Sequence, residues 1–254
     1  MNGRLRTRKY EESITVMNRD AVDSEFCMQL DALFIAPHPD DIELGAAGAV
    51  LRLRDAGWRV GILDLTSGEP TPHGSEALRA AETAEATRLL GIPWRQNLGL
   101  PNRSLEATLE ARRQLATVFR LTRPKWLFAP YWVDAHPDHV AATQLIEAAR
   151  FWAKLTKTEM AGEPYHPARI YYYYCVHLKL IPQPAFVLDI TPYWETKLAA
   201  IRSYASQFIT GRDGRFLEQL RDEASYWGKS IGVRYGEPFA TREPLGLQSL
   251  TDLI

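Results

Sequence analysis

Short apolar runs that alternate with stretches of helical spacing are what most constrain this chain. "ALFIAP" at 32–37, "RVGILDLT" at 59–66 and "KWLFAPY" at 125–131 are apolar at odd and even positions alike over most of their length. A strand that is apolar on both faces must be covered on both, which is the pattern of a parallel sheet between layers of helix. Helices are expected in "GAAGAVLRLRDAG", ending at Gly57, from Ser75 to about Leu90, from about Leu105 to Leu121, and near 193–208 and 215–229. "RQNLGL", "RIYYYYCV" and "AFVLDI" supply further strands. The fold class is therefore α/β, a mostly parallel sheet with helices on both faces. In such sheets a ligand sits at the carboxyl ends of the strands, near a reversal of strand order.

With 254 residues, 46% of them hydrophobic, the chain can bury the core of one large domain. Its net charge of −1 provides no general attraction to nucleic acid or anionic lipid. No apolar run approaches the roughly 18 residues of a membrane span. Residues 1–27 are polar and unpatterned, with no apolar signal-peptide core, and are expected to form a mobile extension before a single domain at 28–254. Two cysteines, Cys27 and Cys175, are too few for a disulfide framework. A cytoplasmic protein without nucleic-acid or membrane partners is expected.

Three polar clusters fall just past the strands. "HPDDIE" follows the first, "SGEPTPHGSEALRAAE" the second, and "DAHPDHV" the strand "KWLFAPY". A single His-Pro-Asp reads equally well as a turn and a helix cap; two copies at separate strand ends point to one site. Imidazole nitrogen and carboxylate oxygen suit zinc or ferrous iron. Two ligands from the first cluster and one from another leave the remaining groups for acid and base work, which is a hydrolase layout. Two histidines and a carboxylate also serve non-haem iron oxygenases, and a non-catalytic sugar- or metal-binding module is a third reading. No G-x-G-x-x-G fingerprint is present; the glycines of "GAAGAV" suit close helix–sheet packing instead.

"APHPDDIELGAAG" and "AHPDHVAA" resemble the two signature motifs of the PIG-L/LmbE-type zinc deacetylases. The segments "LDLTSGEPTPHGSEALRAAE", "NLGLPNR", "FVLDIT", "YASQF" and "GKSIGVRYGEPF" are similar to the branch that acts on N-acetylglucosaminyl-malate in bacillithiol biosynthesis. The resemblance runs from about Met28 to the C-terminus. It implies a Rossmann-like fold, a homo-oligomer that is hexameric in some members, and a small glycoconjugate substrate. It further implies that His38, Asp41 and His139 hold Zn2+, or Fe2+ in the cell. Asp40 would be the general base, His136 the oxyanion stabiliser, and Asp138 the group orienting His136 or a neighbour. Deacetylases of chitobiose-type and mycothiol-type conjugates share the motifs and are the alternatives. Arg79 matches an arginine expected to bind the malate carboxylates; its plainer reading is a solvated helix arginine paired with Glu82. The arginine that often precedes the second motif is replaced here by Ala135, so Lys179, Arg212 or a neighbouring subunit would supply the missing cation. Glu43 reads as either a favourable charge at a helix start or a support for the site. Alternation along "YYYY" at 171–174 puts two tyrosines in the core and two outward, as packing or as a sugar platform. His73 and His177 lie in loops near the expected mouth.

Overall fold

The computed structural model describes residues 28–175, 177, 183–211, 213–246 and 249. Its strands are β1 (Ala32–Ala36), β2 (Val60–Thr66), β3 (Trp94–Leu100), β4 (Trp126–Pro130), β5 (Arg169–Tyr173), β6 (Phe186–Asp189) and β7 (Gly236–Ala240). They form one sheet in the order β3-β2-β1-β4-β5-β7-β6. The first five are parallel, and β7 runs antiparallel between β5 and β6. Every residue of β1, β2 and β7 is buried, as two-sided apolar strands require. The chain moves outward from β1 through β2 to β3, then returns to place β4 on the other side of β1. Phe34 and Phe128 are paired in register across that junction and stack with ring centroids 4.0 Å apart. The loops after β1 and β4 therefore leave the same end of the sheet side by side.

Eight helices among the described residues flank the sheet: α1 (Asp41–Gly45), α2 (Ala47–Asp55), α3 (Glu76–Leu90), α4 (Leu109–Thr122), α5 (Pro137–Ala153), α6 (Trp194–Ser203), α7 (Ala205–Phe208) and α8 (Arg215–Ser230). The Ser75 hydroxyl caps α3, accepting from the Leu78 N–H, and Gly91 closes that helix in the left-handed conformation. Thr108 caps α4 in the same way. That helix begins at Leu109, later than its apolar pattern suggests; Leu105 is buried in the core ahead of it. Among the described residues no helix is long and apolar enough to cross a membrane.

Two features depart from the sequence pattern. "GEPFA" contains glycine and proline, both poor strand formers, yet it is the fully buried β7, with Pro238 set opposite Val187. It pairs with β5 at Tyr172 and Tyr173, and Tyr172, Tyr173 and Tyr174 are all buried. Tyr172 and Tyr173 lie in cores on opposite sheet faces, so alternation does not turn either outward.

"GAAGAV" makes the close approach expected of it. A Cβ on Gly48 would lie 2.2 Å from Ile190 Cγ2. The Glu237 carboxylate accepts from the N–H groups of Gly48 (2.8 Å) and Ala49 (2.9 Å) and pairs with the buried Lys197 Nζ at 2.6 Å. The N-terminus of α2, where dinucleotide-binding folds receive a phosphate, is thus filled by a carboxylate of the same chain. Gly48→Ala should be overpacked and lose about 1–3 kcal/mol, read as a lower urea midpoint than the wild type.

Candidate active site

At the β1/β4 reversal, the loops after β1, β2, β3 and β4 surround a cleft of about 330 Å³, with His38, Gly68, Asn102 and His136 among its lining. Its polar wall includes His38, Asp40, Asp41, Arg79 and His136; Leu44, Phe208 and Phe216 form an apolar wall, the two phenylalanines stacked at 5.0 Å. The site lies where the topology places ligands in open α/β sheets.

Asp41, 4% exposed, stands between two imidazoles. Its Oδ2 is 3.3 Å from His38 Nδ1 and accepts from the His38 backbone N–H; its Oδ1 is 3.4 Å from His139 Nε2. His139 is fully buried, and its Nε2 has no hydrogen-bond partner. A buried imidazole nitrogen left unpaired is costly unless a further group takes it up. One donor atom from each of His38, Asp41 and His139 lies within 4.8 Å of the others, so the three residues fit a divalent cation. The far side of each imidazole is braced by a carboxylate, as metal-bound histidines generally are. His38 Nε2 is 3.2 Å from Asp138 Oδ2, and His139 Nδ1 is 3.1 Å from Asp134 Oδ2. A second grouping, His38, His136 and Asp138, also brings donors together. It suits a cation less well, because Asp138 already accepts the backbone N–H groups of Arg103 (2.8 Å) and Leu105 (3.2 Å).

Charge follows from this packing. Burial works against a cationic His38, but the carboxylates of Asp41, Asp40 and Asp138 prevail and push its pKa up to about 9. Burial also opposes the Asp41 anion, yet His139 and His38 hold that carboxyl below its ordinary range. Burial pushes Asp40 up to about 7, aided by the Asp41 charge and opposed by Arg79 and His38. Burial lowers the pKa of His136, and the neighbouring charges of His139 and His38 lower it further.

Asp40 stands outside the donor trio. It occupies the cap position of α1 without making a cap hydrogen bond, and its φ of 121° is one that side-chain-bearing residues rarely adopt. Arg79 holds it there: Nη1 donates to Asp40 Oδ2 and to the Pro39 carbonyl, both at 2.7 Å, while Nε pairs with Glu69 Oε1 at 3.2 Å. His136 caps α5, its Nδ1 accepting from the Asp138 N–H at 3.2 Å. In the neutral ring the proton is then on Nε2.

These contacts revise several expectations. Of the two roles expected of Asp138, its carboxylate takes the one toward a neighbour: it contacts His38 and holds the 103–105 loop, and only its backbone N–H reaches His136. Arg79 is 3% exposed and neither solvated nor paired with Glu82, whose carboxylate instead binds Ser206. Its guanidinium lines the cleft but is committed to two carboxylates, which makes it a positioning group for Asp40 before anything else. Glu43 is fully buried, bonded to Arg95 (2.6 Å) and Tyr204 (3.3 Å), and Arg95 also binds Asp64 through two nitrogens. This is a charge network beneath α1 and not a solvated helix start. The tyrosine run is absent from the cleft wall; Tyr174 packs on Tyr131. His177 lines the cleft, its ring centroid 5.5 Å from those of His136 and His139, whereas His73 lies against Gly211. Lys179 and Arg212 lie outside the described residues. Asp134 was not singled out from the sequence; a third acid two residues before the second His-Pro-Asp was the available signal.

Known proteins resemble this chain over most of its length. A family model described as GlcNAc-PI de-N-acetylase, PIG-L, matches residues 33–150. Diacetylchitobiose deacetylase of Thermococcus kodakarensis is 32% identical over 219 residues, 81% of this chain and 80% of that one. A probable N-acetyl-alpha-D-glucosaminyl L-malate deacetylase 2 of Bacillus anthracis is 26% identical, over 70% of this chain and 81% of that one. The crystal structure of the conserved protein TT1542 from Thermus thermophilus superposes with a TM-score of 0.80 at 39% identity, covering 86% of this chain and 97% of that one.

A metal-binding imidazole must be neutral. In the metal-free protein His38 keeps its proton below about pH 9, so binding a divalent cation at neutral pH has to displace it. Affinity should therefore rise with pH between about pH 6 and pH 8. Calorimetry in buffers of different ionisation enthalpy should show proton release on binding, and a buffer-independent heat would contradict this charge assignment.

Proposed function

Because the chain belongs to the PIG-L family of de-N-acetylases, we propose that it hydrolyses the N-acetyl group of an N-acetylglucosaminyl conjugate, with zinc or ferrous iron held by His38, Asp41 and His139. The observation that carries the reading is the separation of roles on adjacent residues. Asp41 faces the two imidazoles, while the half-buried Asp40 is held by Arg79 with its pKa pushed up to about 7, near the working range of a base.

When bound, the cation supplies a water acidified to a pKa of about 7 and a Lewis acid for the amide oxygen. Asp40 takes the proton of the attacking water and returns it to the departing amine. Arg79 keeps the carboxylate aimed through this exchange. His136, neutral and protonated on Nε2, donates to the oxyanion of the tetrahedral intermediate. Its ring is fixed by the backbone N–H on Nδ1. An oxygenase would use the same two-histidine, one-carboxylate set, but it has no use for a base held beside it, and the relatives are deacetylases.

The two relatives differ in what the sugar is attached to. Overall identity favours a second sugar, as in the Thermococcus enzyme. The local segments quoted from the sequence favour malate, as in the Bacillus relative. Both leave the same chemistry at the acetamide.

Asp40→Ala should retain the metal and lose about 10²- to 10⁴-fold in turnover, the usual contribution of a positioned base. His139→Ala should lose metal and turnover together. Metal content and acetate release from N-acetylglucosaminyl conjugates measure both, and an Asp40→Ala protein turning over at the wild-type rate would remove the mechanism.

A further inference from the structure

Two described guanidinium groups line the cleft, and only one is neutralised. Arg79 faces the carboxylates of Asp40 and Glu69. Arg103 is paired with no carboxylate among the described residues; its Nη2 donates to the Pro70 carbonyl at 2.6 Å, and its Nε and Nη1 have no protein partner there. A guanidinium at the rim of a binding cleft, with its charge uncompensated, suits a carboxylate that accepts in a forked geometry.

The backbone presents this side chain deliberately. Arg103 has φ 64°, left-handed, at a position a glycine would occupy without strain. Its N–H is anchored on Asp138 Oδ2, the same carboxylate oxygen that touches His38. Asn102 ties the loop to the Glu69 carbonyl at 3.0 Å, and the Arg103–Pro70 bond ties it to the same opposite lip. The side chain is thus held at the cleft by two loops. Ala135, where an arginine often precedes the second motif, is exposed and offers no charge.

We infer that Arg103 is a specificity-determining residue that binds a carboxylate on the aglycone, so that the substrate is an N-acetylglucosaminyl conjugate with an acidic aglycone such as malate. The inference rests on the deacetylase reading and deepens it. The acetamido sugar lies over His38, Asp40 and His136, the apolar wall of Leu44, Phe208 and Phe216 covers its C–H face, and the aglycone extends toward Arg103. A neutral second sugar would gain nothing from that charge.

The test uses the full-length, zinc-loaded protein with N-acetylglucosaminyl-L-malate and diacetylchitobiose. The wild type should have the higher kcat/KM on the malate conjugate, with a preference that shrinks in high salt. Arg103→Gln should lower the ratio of the two kcat/KM values about tenfold or more, chiefly through KM, the scale of one charge-assisted pair. Arg103→Lys should recover part of the ratio. An unchanged ratio in Arg103→Gln, with both substrates slowed equally, would make Arg103 a loop clasp and overturn the inference. Acetate released from diacetylchitobiose alone would also overturn it while leaving the deacetylase in place. Release from neither substrate would bring down the deacetylase reading itself, and this one with it.

Discussion

A buried carboxylate between two imidazoles is the interaction on which the site depends. Asp41 is almost without solvent, and an anion in that position is tolerable only because His38 and His139 face its two oxygens. His38 lies in the loop after β1 and His139 in the first turn of α5, 101 residues further along the chain. They meet because β1 and β4 are neighbours although the chain visits β2 and β3 between them. The sheet order is therefore a condition for the chemistry, and the stacked Phe34 and Phe128 are the packing that keeps the two loops adjacent.

Around this centre the protein spends charge in pairs. Asp138 and Asp134 brace the imidazoles, Arg79 bridges Asp40 and Glu69, Arg95 bridges Glu43 and Asp64, and Lys197 meets Glu237. Each pair joins two elements that the core alone would leave free to slide. Removing a single partner from such a pair leaves an uncompensated buried charge, which is why these positions are less tolerant than their distance from the cleft suggests.

Much of this was legible in the sequence, and the limit has a physical form. Uninterrupted apolar strands reported the parallel sheet, since two-sided burial leaves its mark residue by residue. The paired His-Pro-Asp elements marked the two strand ends. What was not legible depends on long-range pairing. β7 is a strand because its neighbours cover a segment whose own glycine and proline argue against it. Glu43, Arg79 and Asp138 are polar residues whose partners come from other loops, so the sequence left Glu43 between a helix charge and a support for the site, Arg79 between a substrate contact and a surface pair, and Asp138 between His136 and a neighbour. Asp134 was missed because an acid in a polar loop looks ordinary until the histidine behind it is known.

Asp138 has a consequence for how such an enzyme can diversify. One oxygen of its carboxylate holds His38 and the N–H of Arg103, and the other holds the N–H of Leu105. The loop that shapes the mouth and the imidazole that faces the centre therefore share a single anchor. The Asp138 anchor grips only backbone, so it stays in place when a side chain on that loop is exchanged. Insertions, deletions or a proline at either anchored N–H cannot be confined to the mouth, since they would release the carboxylate and let the imidazole turn. New substrates are thus reached by substitution at a fixed loop length, and the backbone of the 101–105 loop is inherited together with the centre it supports.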